Sequence, residues 1–238
     1  MGQKKLIRFA ELETFDNVLQ YPENMAGNWS SHFGNNHPIV LELACGKGEY
    51  ALGLARLHPG INTIGVDIKG NRLWVGAKKA RENQIANTAF LRAQIEQLEQ
   101  YFAGEEVEEI WITFPDPQLR FSKAKKRLTH PRFLRVYQQV LKPGGKIHLK
   151  TDSPALYRFT KEVLSLYHCP LLADESDLYR QENRSEELRL KTHYEALDIA
   201  QSSRIHYLCF TLPAVLAGPE KDLELKEAIK YELEHERS

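Results

Sequence analysis

A turn of small residues, Ala44–Gly48, follows a short apolar run in which Glu42 is the acidic residue. Small residues at such a turn let backbone amides approach a ligand closely. Asp67 lies nineteen residues beyond Gly48, after a second apolar run, where a carboxylate can accept hydrogen bonds from two ribose hydroxyls. The pattern predicts a nucleoside-type cofactor site that contains Glu42, Gly46, Gly48 and Asp67.

The charge at this turn favours a cationic ligand. A dinucleotide fingerprint needs a third glycine where this chain has Ala51, and Glu42 would repel a pyrophosphate. S-adenosylmethionine carries an ammonium and a sulfonium in place of phosphates, so the residues favour this methyl donor over NAD. An NAD-dependent oxidoreductase, and a turn that merely joins a strand to a helix, remain the alternatives.

Asp116 stands between two prolines in the segment Phe114–Pro117, directly after another apolar run. Proline restricts the backbone, so the Asp116 carboxylate is expected to be held rigidly beside the cofactor turn. We predict that Asp116 is the catalytic residue. The alternative is an aspartate that only caps a turn.

Positive charge is concentrated in one part of a chain whose 32 basic and 32 acidic residues cancel. Residues 117–151 contain ten Lys and Arg residues and no acidic residue. A basic patch on a neutral protein suits a polyanion bound in one place, and its position next to Asp116 distinguishes it from an ordinary solvated face. The cations nearest to Asp116 are Arg120, Lys123, Lys125, Lys126 and Arg127, followed by Arg132 and Arg135.

The composition limits the class of protein. With 238 residues, of which 42% are hydrophobic, the chain can bury a core, which excludes disorder and a disulfide-stapled mini-fold. Three widely spaced cysteines fit free thiols, and no His or Cys pair has metal-ligand spacing, so no metal is expected. No segment reads as a membrane span. The expectation is a soluble cytoplasmic protein, either a monomer or a homodimer.

Alternating apolar runs and helical periodicities indicate an α/β fold with a doubly wound, mostly parallel, Rossmann-like sheet and a late antiparallel strand. We predict an N-terminal extension over 1–37, one α/β domain over 38–218 and a C-terminal helix over 219–238. The predicted strands are 38–43, 61–67, 88–91, 107–114, 146–150 and 205–212, and the predicted helices between them are 49–57, 71–83, 95–102, 131–141, 154–167 and 186–200.

Several segments together resemble the bacterial tRNA (guanine-N7-)-methyltransferase family, often called TrmB, from about Pro38 to Leu212. The glycine turn is shared by all class I methyltransferases, whereas Pro-Asp-Pro with a basic tail and a late Thr-x-x-Glu is specific. The segments are Leu41–Glu49, Gly65–Ile68, Phe114–Pro117 with Lys126–Leu128, Leu141–Gly145, Thr151–Asp152 and Thr192–Glu195.

The resemblance implies a class I methyltransferase domain that methylates N7 of guanine 46 in the tRNA variable loop, with S-adenosylmethionine as donor. It implies donor contacts at Glu42, Asp67 and Asp116, and at Gln94, where the family has an acidic residue. Other departures from the family pattern are Ala44 for a glycine and Gln118 for a tryptophan. Substrate contacts are implied at Arg120, Asp152, Thr192, His193, Tyr194 and Glu195, and the basic segment would bind tRNA phosphates through Lys123, Lys125, Lys126 and Arg127.

Two further alternatives remain beside this reading. One is an amino-group methyltransferase of DNA or RNA, although such enzymes typically carry an Asp/Asn-Pro-Pro-aromatic loop and Pro117 is followed here by Gln118. The other is a non-catalytic RNA-binding protein on the same scaffold.

Overall fold

The computed structural model describes residues 2–180, 183–192, 195 and 204–235. Within them, eight strands form one sheet. They are β1 Val18–Gln20, β2 Ile39–Leu43, β3 Asn62–Asp67, β4 Thr88–Arg92, β5 Val107–Thr113, β6 Leu141–Thr151, β7 Leu171–Glu175 and β8 His206–Thr211. Their order across the sheet is β1-β4-β3-β2-β5-β6-β8-β7. Neighbours from β1 to β6 are parallel, and β8 runs antiparallel to both β6 and β7.

Helices cover both faces of this sheet. The described α-helices are α1 Gly2–Leu12, α2 Trp29–Phe33, α3 Glu49–Leu57, α4 Gly70–Glu82, α5 Pro131–Val140, α6 Pro154–Leu166, α7 Glu186–Arg189 and α8 Asp222–His235. Side chains of α5, α6 and α8 pack with one face of the central strands. Those of α3 and α4 pack with the other. The predicted doubly wound α/β fold with a late antiparallel strand is confirmed.

Burial on both faces explains why the central strands could be read from the sequence. Every residue of β2 and of β3 is buried, as expected for parallel strands covered by helices on both sides. The carboxyl ends of these strands all reach the same edge of the sheet, which is therefore the place where turn residues can meet.

Other elements differ from the prediction. Strand β1 has only three residues and β7 is mostly exposed, so neither gives the long apolar run by which the central strands are predicted. Helix α7 spans only Glu186–Arg189 of the predicted helix 186–200, of which residues 193–194 and 196–200 lie outside the described residues. In β6, the register against β5 shifts after Leu141, so the continuous pairing begins at Lys146 as predicted.

Both ends of the chain contact the central fold. Part of the N-terminal region joins the sheet, since β1 pairs in parallel with β4. At the other end, Leu225 and Ile229 of α8 are buried in the main core, and Arg135 of α5 binds Asp222 at the start of α8.

Candidate functional site

Polar groups converge at the carboxyl edge of the sheet, where β2 lies between β3 and β5. From β2 the chain continues through β3 and β4 on one side and through β5 and β6 on the other. Ligands of open α/β sheets bind at such a switch point, outside the carboxyl ends of the strands. The predicted residues that lie within three positions of a strand end at this edge are Glu42, Asp67, Gln94, Asp116 and Asp152.

Glu42 is buried beneath the turn. Its Oε2 accepts a hydrogen bond from the Ala51 amide at 2.8 Å, and its Oε1 accepts one from Thr113 Oγ1 at 2.9 Å. These bonds join β2 to the first turn of α3 and, across the switch point, to the end of β5. Burial outweighs both hydrogen bonds and raises the pKa of Glu42 to about 8. The protonation of Glu42 is therefore sensitive to any charge placed at the turn.

The turn itself depends on left-handed backbone. Gly46 and Gly48 have φ of +58° and +65°, and Ala44 adopts +54°, where a glycine would be less strained. A Cβ on Gly48 would lie 2.2 Å from the ring of Phe90, whereas a Cβ on Gly46 would have no heavy atom within 4 Å. Gly48 is thus required by packing, and Gly46 leaves open space beside the backbone for a ligand.

The Phe90 ring is a common support for this region. Besides Gly48, it lies 3.0 Å from a Cβ built on Gly65 of β3 and 2.7 Å from one built on Gly76 of α4. The same Gly76 Cβ would lie 2.4 Å from the Lys47 carbonyl oxygen, so α4 directly contacts the turn. The three glycines allow the turn, β3 and α4 to close around one aromatic side chain.

Asp67 ends β3 and is almost fully buried. Its Oδ2 accepts a hydrogen bond from the Gly46 amide at 2.9 Å, and its Oδ1 accepts one from the Lys69 amide at 2.8 Å. A carboxylate oxygen can accept more than one hydrogen bond, so ribose hydroxyls could donate to the same two atoms. Asp67 therefore holds the turn and still has acceptor capacity for a ligand.

Acidic side chains surround the turn. Burial raises the pKa of the Cys45 thiol well above its usual value, and the nearby carboxylates of Glu42, Asp67 and Glu49 raise it further. Within the described part of the chain, none of these three carboxylates takes part in an ion pair. The residues present therefore fit a cationic nucleoside such as S-adenosylmethionine and would repel a pyrophosphate. Glu49 was not predicted, although its position directly after Gly48 was a usable signal.

Asp116 is exposed after β5. Its Oδ1 accepts a hydrogen bond from the Gln118 amide at 3.0 Å, so it caps its own turn. The preceding Phe114 has φ of +48°, and its amide donates to the carbonyl of Lys150 in β6 at 2.8 Å. The carboxylate is thus fixed to both strands through the backbone and has further acceptor capacity for a ligand.

The basic segment after Asp116 folds as a 3-10 helix, Phe121–Lys126, rather than as a loop. We call Arg120–Lys126 the cationic helix. Its cations, Arg120, Lys123, Lys125 and Lys126, are exposed, and none forms an ion pair within the residues the structure describes. Four other cations of the basic run bind carboxylates from elsewhere: Arg132 with Glu96, Arg135 with Asp222, Lys142 with Glu108 and Lys150 with Glu195.

The structure corrects the prediction for Arg127. This residue is buried, and its guanidinium donates to the carbonyl of Pro117 at 3.2 Å and to that of Gln118 at 3.3 Å. The guanidinium carbon also lies 4.4 Å from the centre of the Phe159 ring. Arg127 therefore supports the backbone beside Asp116 from the inside and does not belong to the exposed cations.

Four of the remaining predicted residues are described and lie around the same edge. Gln94 is exposed and begins the 3-10 helix Ile95–Gln100, and Asp152 is partly buried after β6. Thr192 is buried, and the Glu195 carboxylate forms an ion pair with Lys150. His193 and Tyr194 lie outside the described residues.

Three negative findings complete the description of residues 2–180, 183–192, 195 and 204–235. No group of three or more His, Cys, Asp and Glu side chains among them could hold a metal ion. None of their helices has the length and apolar character to cross a membrane. The three cysteines, Cys45, Cys169 and Cys209, are buried free thiols.

Known proteins match nearly the whole chain. A family model described as "Putative methyltransferase" matches residues 36–208. The tRNA (guanine-N(7)-)-methyltransferase of Bacteroides thetaiotaomicron is 43% identical, covering 97% of this chain and 95% of that protein. The protein of the same name from Porphyromonas gingivalis is 46% identical and covers 91% and 90%. That of Lactococcus lactis subsp. cremoris is 35% identical and covers 75% and 82%.

Solved structures match the fold at low identity. The 16S rRNA methyltransferase KamB superposes with a TM-score of 0.61 at 17% identity, over 82% of this chain and 98% of that one. The [4+2]-cyclase SpnF matches with a TM-score of 0.54 at 18% identity, over 75% and 76%. These likenesses establish a Rossmann-like class I methyltransferase fold, but the same fold carries different reactions, so they say nothing about the substrate.

Proposed function

Because the chain belongs to the tRNA (guanine-N7)-methyltransferase family, we propose that it transfers a methyl group from S-adenosylmethionine to N7 of guanine 46 in the variable loop of tRNA. One observation carries the proposal. At a single edge of the sheet, the acidic turn after β2, the exposed Asp116 after β5 and the cationic helix follow one another. This edge offers a place for a cationic donor, a carboxylate for the target base and cations for the RNA backbone.

The acidic turn would hold the donor. When bound, S-adenosylmethionine supplies an electrophilic methyl group on its sulfonium. Asp67 accepts hydrogen bonds from the ribose hydroxyls, and Gly46 permits close approach of the backbone to the donor. The side-chain amide of Gln94 forms a hydrogen bond with the adenine. Glu42 fixes the turn, and its buried carboxyl group, which has a pKa of about 8 in the free protein, loses its proton more readily when a positively charged ligand binds above it.

The target base needs orientation rather than a strong general base. Guanine N7 has a free lone pair and no proton to lose, so alignment and exclusion of water are the main requirements. Asp116 and Asp152 accept hydrogen bonds from the guanine N1–H and the exocyclic amine, whereas adenine presents an acceptor at N1. Their negative charge also stabilises the positive charge that methylation creates on the ring.

The cationic helix would bind the tRNA backbone. Lys123, Lys125 and Lys126 contact phosphates, which supply affinity and register but no base identity. Arg120, four residues from Asp116, contacts the target nucleotide. The late segment that contains Thr192, His193, Tyr194 and Glu195 completes the substrate side of this proposal.

A direct assay tests the function. The purified chain is incubated with an unmodified tRNA transcript and methyl-labelled S-adenosylmethionine, and the modified base is mapped by mass spectrometry of nuclease fragments. We expect one N7-methylguanosine at position 46, and none in a matched transcript that carries adenine there. An N-methylated amino group would support the amino-group methyltransferase, and tRNA binding without any methyl transfer would support the non-catalytic protein.

A further inference from the structure

Lys150 is a lysine without exposed side-chain area in the middle of the candidate site. It lies near the end of β6, opposite Thr113 of β5, and its carbonyl accepts the Phe114 amide. It therefore joins the strand that leads to Asp116 with the strand that leads, two residues later, to Asp152. A buried ammonium group is costly unless its donors are occupied, so its partners indicate what it is there to hold.

All the hydrogen-bond partners described for this ammonium lie on one later segment. Lys150 Nζ donates to the carbonyl of Leu190 at 2.8 Å and to that of Leu188 at 3.3 Å. It also lies 3.0 and 3.1 Å from the two carboxylate oxygens of Glu195. We call residues 188–192 with Glu195 the clamp segment. One cation thus attaches both the backbone and a side chain of the clamp segment to the sheet.

The Thr-x-x-Glu motif belongs to this attachment. Glu195 Oε2 accepts the Thr192 amide, and the Glu195 amide donates to Thr192 Oγ1, both at 3.3 Å. These are the reciprocal bonds of a capping box, which fixes the local backbone. The Glu195 side chain is only 3% exposed. Its carboxylate is therefore occupied by Lys150 and Thr192, so any effect it has on substrate passes through the position of the clamp segment.

We infer that Lys150 is a positioning residue, which holds the clamp segment against the carboxyl ends of β5 and β6 so that it stays in register with Asp116 and Asp152 at the target nucleotide. The inference rests on the proposed function. It assigns to the late motif an indirect role, in which a buried ion pair sets the geometry of the nucleotide site.

The test begins with Lys150→Met, which keeps the apolar stem and removes the charge. The Kd of S-adenosylmethionine stays within about twofold, because Glu42 and Asp67 keep their partners. The kcat at saturating tRNA falls about tenfold or more, since a small misplacement of the nucleotide site slows the reaction strongly. The KM for tRNA changes little, because the cationic helix still binds the backbone. Trypsin cleaves faster after Arg189 and Lys191 in the released clamp segment.

Two variants separate positioning from general stability. Lys142→Met removes the exposed ion pair of Lys142 with Glu108 and leaves kcat and trypsin cleavage unchanged. The double variant Lys150→Met/Glu195→Gln removes both buried charges, so it regains much of the Tm lost in the single variant. It does not regain kcat, because the carbonyls of Leu188 and Leu190 still lack their donor.

The outcomes are distinct. Wild-type kcat and wild-type trypsin cleavage in Lys150→Met overturn the inference, and so does recovery of kcat together with Tm in the double variant. If Lys150→Met does not fold, the double variant supplies the same two readouts. If the wild-type protein methylates no tRNA, the proposed function fails, and the trypsin cleavage pattern alone still decides whether Lys150 holds the clamp segment.

Discussion

At the scale of single residues, the acidic side chains of the site each hold backbone as well as offering charge. Asp67 binds the amides of Gly46 and Lys69, and Asp116 binds that of Gln118. Replacement by alanine would therefore disturb the turn and the ligand contact together. Replacement by asparagine keeps the size and one acceptor. At Asp116 this preserves the single backbone bond and isolates the effect of the charge, whereas at Asp67 it also removes one of the two backbone bonds.

Asp67→Asn is expected to weaken the binding of S-adenosylmethionine and to leave tRNA binding intact. Loss of a charged hydrogen-bond acceptor costs about 1.5–3 kcal/mol, which corresponds to roughly a 10- to 150-fold higher Kd. Calorimetric titration measures the donor affinity, and a filter-binding assay with tRNA is the control. An unchanged donor Kd would remove Asp67 from the cofactor site.

Asp116→Asn is expected to slow methyl transfer in a single turnover by about 100-fold, because the target base loses the charge that orients it and stabilises the methylated ring. The cap to Gln118 can be kept by the amide oxygen, so the turn survives. Donor Kd changes much less than the rate. A single-turnover rate equal to that of the wild type would mean that Asp116 serves only as a turn cap.

Glu42 makes stability depend on pH. Burial raises its pKa from 4.5 to about 8, so the folded protein binds a proton in this window that the unfolded chain has released. The free energy of unfolding then falls as pH rises from about 5 to about 8, by at most a few kcal/mol. Glu42→Gln lacks this decline. Urea unfolding at several pH values compares the two proteins, and parallel curves would contradict the assignment.

At the scale of elements, the cationic helix and its anchor have different tasks. Lys123, Lys125 and Lys126 are exposed on the 3-10 helix, whereas the buried Arg127 at its end holds the backbone of Pro117 and Gln118. A change to the lysines should act on RNA affinity. A change to Arg127 should act on the geometry beside Asp116.

The triple variant Lys123→Gln/Lys125→Gln/Lys126→Gln is expected to bind tRNA more weakly and with a flatter salt dependence. Each lost phosphate contact lowers the slope of log K against log salt by about 0.7–0.9. Lys142→Gln, whose partner is Glu108, is the matched control and leaves the slope unchanged. Binding measured across a salt series checks this, and a wild-type slope in the triple variant would place tRNA on another surface.

What the sequence could predict at this scale depended on local signals. The buried strands β2 and β3, the glycine turn and the residues after strand ends could be read from apolar runs and turn residues. The edge strands β1 and β7 could not, because they are short or exposed. The inward position of Arg127 and the pairing of Lys150 with Glu195 depend on tertiary contacts that no local pattern encodes.

At the scale of the whole molecule, carboxylates outside the basic run complete the charge pattern. Acidic residues from other regions neutralise Arg132, Arg135, Lys142 and Lys150, so the excess of positive charge remains on the cationic helix. A protein of zero net charge can thus present one cationic surface, which favours binding of RNA in one orientation.

Asp222→Asn is expected to weaken the attachment of α8 to α5 and so to lower the free energy of unfolding. Arg135 Nη2 lies 2.7 Å from one Asp222 oxygen and 3.1 Å from the other. Burial opposes ionisation of Asp222, but the hydrogen bonds from Arg135 and Tyr167 lower its pKa below the usual value. The ionised carboxylate therefore stabilises the fold fully at pH values above the usual aspartate pKa, and this stabilisation is lost as the pH falls through the lowered pKa. The variant should lose about 1–3 kcal/mol at neutral pH, as measured by urea unfolding. Glu108→Gln, from an exposed pair, is the control, and equal effects would contradict the prediction.

The ring of Phe90 lies against three glycines that are far apart in the chain, and this arrangement limits how the sequence can change. Gly48, Gly65 and Gly76 each leave room for the same aromatic side chain, so a larger residue at any one of them is blocked while Phe90 is present. A smaller residue at position 90 would leave a cavity under the turn without freeing the three positions. A Cβ on Gly76 would still lie 2.4 Å from the Lys47 carbonyl oxygen, one on Gly65 would lie 2.9 Å from Cys45 Sγ, and Gly48 would keep its left-handed backbone. The constraint on evolution is therefore one-sided: a change of the ring does not release the glycines, so all three positions are expected to stay glycine whichever apolar residue occupies position 90.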